Sequence, residues 1–369
     1  MGTILQKVKN WMGYRNSLVE DARLTMALVE RKIQRYKNSL NDLKNQDPFK
    51  NIFDKYTEIE PGAAELLGTL ECHLELDGLQ ILSAEAATHL SRHRGYLGLN
   101  GLTHLSGEVA VSLGQHVGPL GLNGVTALNK PAAEGLANTI GWLFLNGLTG
   151  ISVEVAERLS RTLNLFLNGI PHLTEEAAVA LSSRRRSLYR LSLGGLTTIS
   201  EGVAGALCKA EGDLYLDGMK KLPINIAKKC MRKPGNMLSL SGLTDLSPLM
   251  AEILGKNRAS LNLSGLKNLS SQAAHHLAKK SRWRIHLDGL TAITDKTAEE
   301  LAKHKSELYL YGLTSLSDRA AEALSKHQGF GLHLCGLNKL SSKAMDFLNL
   351  NEHVRLPERF TKKTLASLV

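Results

Sequence analysis

The sequence predicts an α/β solenoid, parallel strands on one face and short helices on the other, preceded by a helical segment. Three observations predict it. A glycine recurs twelve times, at Gly78, Gly101, Gly124, Gly147, Gly169, Gly195, Gly218, Gly242, Gly265, Gly289, Gly312 and Gly336, mostly at intervals of 22 to 24 residues with one of 26. A Leu-x-Leu alternation stands before each glycine, the period of a strand with one buried face. After the glycine comes an A-A-x-x-L pattern or a close variant, as in the unit that starts at Glu307, which sets small and large apolar residues on one helical face.

Each part of the unit has a physical reason. The invariant glycine marks a place that needs positive φ or a close backbone approach at the strand end. A Ser or Thr opens most helices (Ser83, Ser106, Ser152, Thr174, Ser200, Ser247, Ser270, Thr294, Ser317) and suits the N-cap. Asp or Glu often follows within two residues, where the helix dipole favours it. One such unit cannot bury its own apolar stripe, whereas a stack makes a continuous core.

The rhythm L-x-L-x-G-L-x-x-[LI]-[ST], at about 23 residues, resembles the leucine-rich repeat, especially the versions found in bacterial proteins. The resemblance covers roughly residues 51–369. It implies a solenoid whose work is to bind another macromolecule. One departure stands out. The family's usual pattern places Asn or Cys after L-x-L-x-x, where its side chain satisfies backbone groups of the turn. This sequence has Leu there, as at Leu290 and Leu313, which bears on the curvature of the stack.

The expected organisation is a helical segment over residues 1–50 and the solenoid over 51–369, with degenerate capping repeats at about 51–72 and 354–369. In the first of these, only Ile59, Ala63, Ala64 and Leu67 keep the plan. Residues 1–50 carry ten Lys or Arg against five Asp or Glu, half of the chain's net +10. Val19, Ala22, Met26, Val29, Ile33, Tyr36, Leu40 and Leu43 form a heptad seam. It reads as a helical cap on the first repeat or, alternatively, as a homodimer seam through residues 19–43. The preceding helix, with Ile4, Leu5, Val8, Trp11 and Met12 on one face, also allows a membrane-surface reading.

The sequence holds no catalytic motif: no phosphate-binding G-x-x-x-x-G-K-[ST], no H-E-x-x-H and no G-x-S-x-G. We therefore expect no enzyme activity, no catalytic residue, no cofactor and no metal. No apolar run is long enough to cross a membrane, and the N-terminus lacks a secretory signal pattern. Four scattered cysteines (Cys72, Cys208, Cys230, Cys335) fit a reducing compartment, so a cytoplasmic protein is expected. Export by a route without a cleaved signal stays open. Cys230 stands at a core Leu place and reads as a small core hydrophobe.

Function should then lie on a surface. The two x positions of L-x-L-x-G point away from the helices, onto the strand-side (concave) surface. In a chain with only 5% aromatic residues, those columns carry Phe144, Phe166, Tyr215, Tyr309 and Tyr311, with His286, Asp288 and His333 beside them. Exposed aromatics are the usual anchors of interfaces, so these eight residues are the candidate partner-binding set, in two clusters: Phe144 with Phe166, and the later His286, Tyr309, Tyr311, His333 group. His286 and His333 lie two strands apart, too far to share one metal ion. The run Asn100, Asn123, Asn146 and Asn168 reads as turn chemistry or as a ligand-facing ladder.

The face columns hold four acidic residues and no Lys or Arg. The basic residues Arg92, Arg161, Lys209, Arg232, Lys256, Lys279, Lys303 and Lys326 instead follow the helix ends, and Arg184, Arg185 and Arg186 fill the lengthened unit. The expected function is a non-enzymatic protein-binding scaffold. The alternative is nucleic-acid or anionic-surface binding through the basic edge and the N-terminal segment.

Overall fold

A computed structural model describes residues 22–39, 52–183, 190–231, 233–234, 236–279 and 283–361. Val19, Leu40 and Leu43 of the heptad seam, the helix expected around Trp11, and Arg184, Arg185, Arg186 and Arg232 lie outside them. The chain divides into two compact units. The first, residues up to Leu148 with Thr162–Leu165, holds β1 (Arg23–Leu24), α1 (Met26–Ser39), β2 (Glu58–Ile59), α2 (Pro61–Gly68), β3 (Leu74–Glu75), α3 (Ala84–Leu90), β4 (Leu97–Gly98), α4 (Gly107–Leu113), β5 (Leu120–Gly121), α5 (Lys130–Leu136) and β6 (Trp142–Phe144). The second, Thr149–Arg161 and the chain from Phe166, begins with α6 (Val153–Leu159); β7 (Asn164–Phe166) is divided between the two. Its other elements are α7 (Glu175–Ser182), β8 (Arg190–Ser192), α8 (Glu201–Leu207), β9 (Asp213–Tyr215), α9 (Ile224–Cys230), β10 (Met237–Ser239), α10 (Pro248–Gly255), β11 (Ser260–Asn262), α11 (Ser271–Ala278), β12 (Ile285–His286), α12 (Asp295–Leu301), β13 (Glu307–Tyr309), α13 (Asp318–Ser325), β14 (Gly331–His333), α14 (Ser342–Asn349) and β15 (Val354–Arg355). Strands β3 to β15 follow one another in chain order in a parallel sheet of thirteen, the α/β solenoid that the periodicity predicts.

The register explains the repeat. Leu74 pairs with Leu97, Leu97 with Leu120 and Leu120 with Leu143; in the second unit Leu238 pairs with Leu261 and Leu308 with Leu332. The buried leucines therefore form columns, each fully covered and each worth about 1.5–3 kcal/mol of burial. The marker glycines are explained by close approach and not by positive φ. A Cβ on Gly101 would collide with the carbonyl oxygen of Asp77 and sit 2.6 Å from that of Leu79. The same pair of carbonyls from the preceding repeat meets Gly124, Gly218, Gly265 and Gly312. The cap residues act as expected: Ser83 Oγ accepts the Ala86 N–H at 3.1 Å and Ser317 Oγ that of Ala320 at 3.0 Å. Pro223 takes the cap place of α9 and makes no such bond.

Leu290 and Leu313, at the place the family gives to Asn, are fully buried. The residue before the marker glycine does the satisfying instead. Asp77 Oδ1 accepts the Asn100 N–H at 3.0 Å, Asn100 Oδ1 that of Asn123 at 2.9 Å, and Asn123 Oδ1 that of Asn146 at 3.1 Å. Asn168 takes the Gly194 N–H, Asp217 the Ser241 N–H and Asp288 the Tyr311 N–H in the same way. Of the two readings of the Asn run, the structure favours the turn chemistry: the Asn100, Asn123 and Asn168 side-chain oxygens take N–H groups of the next repeat.

A second polar ladder runs through the helix-to-strand turns, where the sequence reading had no expectation. His93, His116, Lys233, Asn257 and His327 are buried there, and most of them satisfy turn backbone groups. His116 Nε2 lies 3.0 Å from the Gly95 carbonyl, and His327 Nε2 lies 3.2 Å from that of Ser306. Lys233 Nζ donates to the carbonyls of Ala210, Gly212 and Pro234 at 3.2, 2.7 and 2.8 Å. Burial still pushes its ammonium down to about 8, Asp213 pulling the other way.

Two further placements matter. Cys208 and Cys230, both buried, are joined as a disulfide between consecutive repeats, with Cα atoms 5.0 Å apart. Cys230 thus fills its core place as half of a cross-link, which its 22-residue spacing from Cys208 did not suggest. In the first unit, Val29 and Ile33 of α1 are buried, α1 packs on α2, and Arg23–Leu24 pairs with Glu58–Ile59. Val29 and Ile33 of the heptad seam are therefore covered by their own chain, whereas Ala22 and Met26 are exposed.

Candidate strand-side binding surface

Because the columns are in register, His286, Tyr309 and His333 stand side by side on β12, β13 and β14. Strand spacing of about 4.8 Å brings flat side chains into stacking range. The His286 and Tyr309 ring centroids are 4.1 Å apart and 5° from parallel; those of Tyr309 and His333 are 4.2 Å and 7°. Tyr309 thus stands between the two imidazoles. Tyr311, one pleat further on, meets His333 edge-on at 5.9 Å and Tyr309 at 5.7 Å. Tyr311 is 43% exposed.

A frame of charges holds the stack. The Tyr309 hydroxyl donates to Glu307 at 3.1 Å, and Glu307 is paired with Arg284. Asp288 accepts the Tyr311 N–H, takes the Ser264 hydroxyl at 3.2 Å and lies 3.7 Å from His286 Nδ1. Burial alone would raise the Asp288 carboxyl, but the His286, Tyr311 and Ser264 bonds outweigh it and hold it below the ordinary carboxylate range. Burial, with Glu307 beside it, raises the Tyr309 hydroxyl. Burial also lowers His333, and Arg355 and His286 add to that against Glu307 and Asp288.

The other candidates do not join this group. Tyr215 lies under the Arg190 guanidinium, 4.8 Å from its ring centroid, and Arg190 lies 3.7 Å from Asp213. Phe144 sits in the first unit with its ring 6.2 Å from Trp142; Phe166 belongs to the second unit. Among the described residues no group of three or more His, Cys, Asp or Glu is placed to hold a metal ion.

A third column shares this face. The residue before each Leu-x-Leu is two positions from the first x and so points the same way. It supplies Tyr96, Trp142, Arg190, Asp213, Arg284 and Glu307, and the same alternation could have found it. Tyr96 shows why it matters. Gly98 and Gly121, expected on the open face, are buried because the Tyr96 ring covers them: a Cβ on Gly121 would sit 2.5 Å from its hydroxyl oxygen. On the helix side, Lys256, Lys303 and Lys326 of the basic edge pair with Glu252, Glu300 and Glu322 at 2.8, 2.7 and 3.0 Å.

By fold, then, the chain is an α/β solenoid of parallel strands and short helices with an aromatic and histidine-bearing strand face. The sequence matches no protein-family model and no curated protein. Solved leucine-rich-repeat structures of similar fold include the Toll–Spatzle complex from Drosophila, at 16% identity over 80% of this chain and 41% of that one, TM-score 0.47. Others are the TLR13–ssRNA13 complex, at 15% over 82% of this chain and 50% of that one, TM-score 0.40, and an internalin from Listeria monocytogenes, at 13% over 89% and 94%, TM-score 0.39. The chain spans half or less of the first two. No helix among the described residues is long and apolar enough to cross a membrane.

Proposed function

We propose that the protein is a non-enzymatic scaffold that binds a protein partner on its strand-side surface, with His286, Asp288, Tyr309, Tyr311 and His333 at the centre of the contact. The observation that carries this is the ring stack. A chain poor in aromatics stacks three rings in register and leaves a fourth, Tyr311, open to solvent. Rigid, pre-stacked rings lose little entropy on binding and are frequent interface anchors. Phe166 and Tyr215 stand at the same strand-face place within the second unit, and Phe144 at that of the first unit. The double variant Tyr309→Ala, Tyr311→Ala should lose partner capture in cross-linking pull-downs while keeping its circular dichroism. Undiminished capture by the folded variant would refute the proposal. At three of the eight basic-edge positions, Lys256, Lys303 and Lys326, a Glu neighbour offsets the charge, which weighs against nucleic-acid or anionic-surface binding there.

The compartment turns on the cysteines. In the cytoplasm, the expectation from the sequence, Cys208 and Cys230 would be buried thiols; in an oxidising compartment they are a cross-link. Alkylation in denaturant without reductant, read by mass spectrometry at the Cys208 and Cys230 peptides, distinguishes the two: buried thiols are labelled on unfolding and a cross-link is not.

A further inference from the structure

The ring stack has a chemical bias in what its neighbours leave unpaired. Both nearby carboxylates are occupied from within: Glu307 by Arg284 and the Tyr309 hydroxyl, Asp288 by Ser264, the Tyr311 N–H and the adjoining His286. At the far end of the stack β15 adds one more residue to the column, Arg355, in register with His333. Arg355 is exposed. No carboxylate among the described residues lies within ion-pairing distance of it. The Arg359 guanidinium, by contrast, is used by the Leu337 carbonyl and the Asn338 side chain, each at 2.8 Å.

The surface therefore offers a ring-lined floor that ends in an exposed guanidinium with no carboxylate partner among the described residues. Tyr311 is open on the same stretch, its hydroxyl 3.5 Å from His333 Nδ1. A guanidinium is built to take a carboxylate in two parallel hydrogen bonds. We propose that this end of the strand face binds an acidic peptide segment of a partner protein, an Asp or Glu carboxylate on Arg355 and an apolar or aromatic side chain against Tyr311 and His333. The proposal rests on the protein-binding reading above and adds the partner's chemistry.

The test is selection of a displayed library of random short peptides on the full chain. The same selection is run on Arg355→Gln, Arg355→Lys and the Tyr309→Ala, Tyr311→Ala double variant. A fluorescent oligouridine serves as a separate anionic probe. The expected result is enrichment of peptides with Asp or Glu near an apolar residue. Selected peptides should lose roughly tenfold or more in affinity for Arg355→Gln, less for Arg355→Lys, and weaken as salt rises. Enriched peptides without acidic residues, bound equally by Arg355→Gln but lost with the double tyrosine variant, overturn the acidic assignment and leave the strand-side reading standing. Enrichment unaffected by the tyrosine variant, or no enrichment at all, overturns both. Oligouridine binding that needs Arg355, without acidic enrichment in the library, replaces the peptide with a phosphate backbone and also overturns the proposal.

Discussion

Gly98 and Gly121 in the first unit stand at the same place of the repeat as Tyr309 and His333 in the second. In the first unit the two glycines form a floor, and Tyr96 from the neighbouring column lies over them. The Asn100 side chain donates to both Asp77 oxygens at 2.9 Å and lies 3.4 Å from the Tyr96 hydroxyl, so polar groups there are spent on one another. In the second unit the same column carries rings at His286, Tyr309 and His333, and these stack in register beside an open Tyr311. One backbone plan thus gives a closed stretch and an open one. The difference lies in which column carries the bulk, since backbone spacing is the same in both.

The comparison can be broken most severely at the backbone. Gly101→Ala should cost about 3 kcal/mol or more, because the new Cβ meets carbonyl oxygens of the preceding repeat that cannot move independently. Gly121→Ala, whose Cβ meets the movable Tyr96 hydroxyl and, at 3.1 Å, Asn100 Oδ1, should cost roughly 1 kcal/mol. Urea unfolding of both variants checks the order; equal losses would mean that the first unit's face is as rigid as its turns.

Next in size is the second unit's cross-link. A bond closing 22 residues stabilises by about 3 kcal/mol in the chain-entropy view. Reductant, or Cys208→Ser with Cys230→Ser, should lower stability and raise amide exchange first in α8 and α9, because repeats couple mainly to their neighbours. Exchange that rises only in the first unit would contradict this placement.

The third effect is the response to pH, which buried turn histidines in both units share. Burial lowers His93 to about 4, with His116 adding to the shift. Its contribution is full above the unfolded value near 6.5 and is lost as pH falls from there toward 4, because the unfolded chain takes up the proton first. The loss from His93 alone should be about 3 kcal/mol, and His116 and His327, also lowered by burial, act in the same direction. Asn fills the equivalent place at Asn257 and Asn351. His93→Asn should therefore flatten the acid slope in urea titrations between pH 7 and pH 5 while leaving neutral stability nearly intact. A slope unchanged in that variant would assign the acid sensitivity elsewhere.

The sequence by itself determined the repeat. Its glycine interval, Leu-x-Leu alternation and cap residues each act within one unit, so local rules suffice for strand, turn and helix. It also determined that His286, Tyr309 and His333 share a column, because identical spacing enforces register. Only the tertiary structure decided what each column meets. The Asn run faces the next repeat's N–H groups, the buried His, Lys and Asn ladder lines the turns, and Tyr96 closes over two glycines from a column the two-position reading left out. The 22 residues between Cys208 and Cys230 bring two sulfurs together only because one repeat lies directly on the next. These contacts join residues about one repeat apart, and their partners depend on side-chain size and reach across strands, which periodicity alone does not specify.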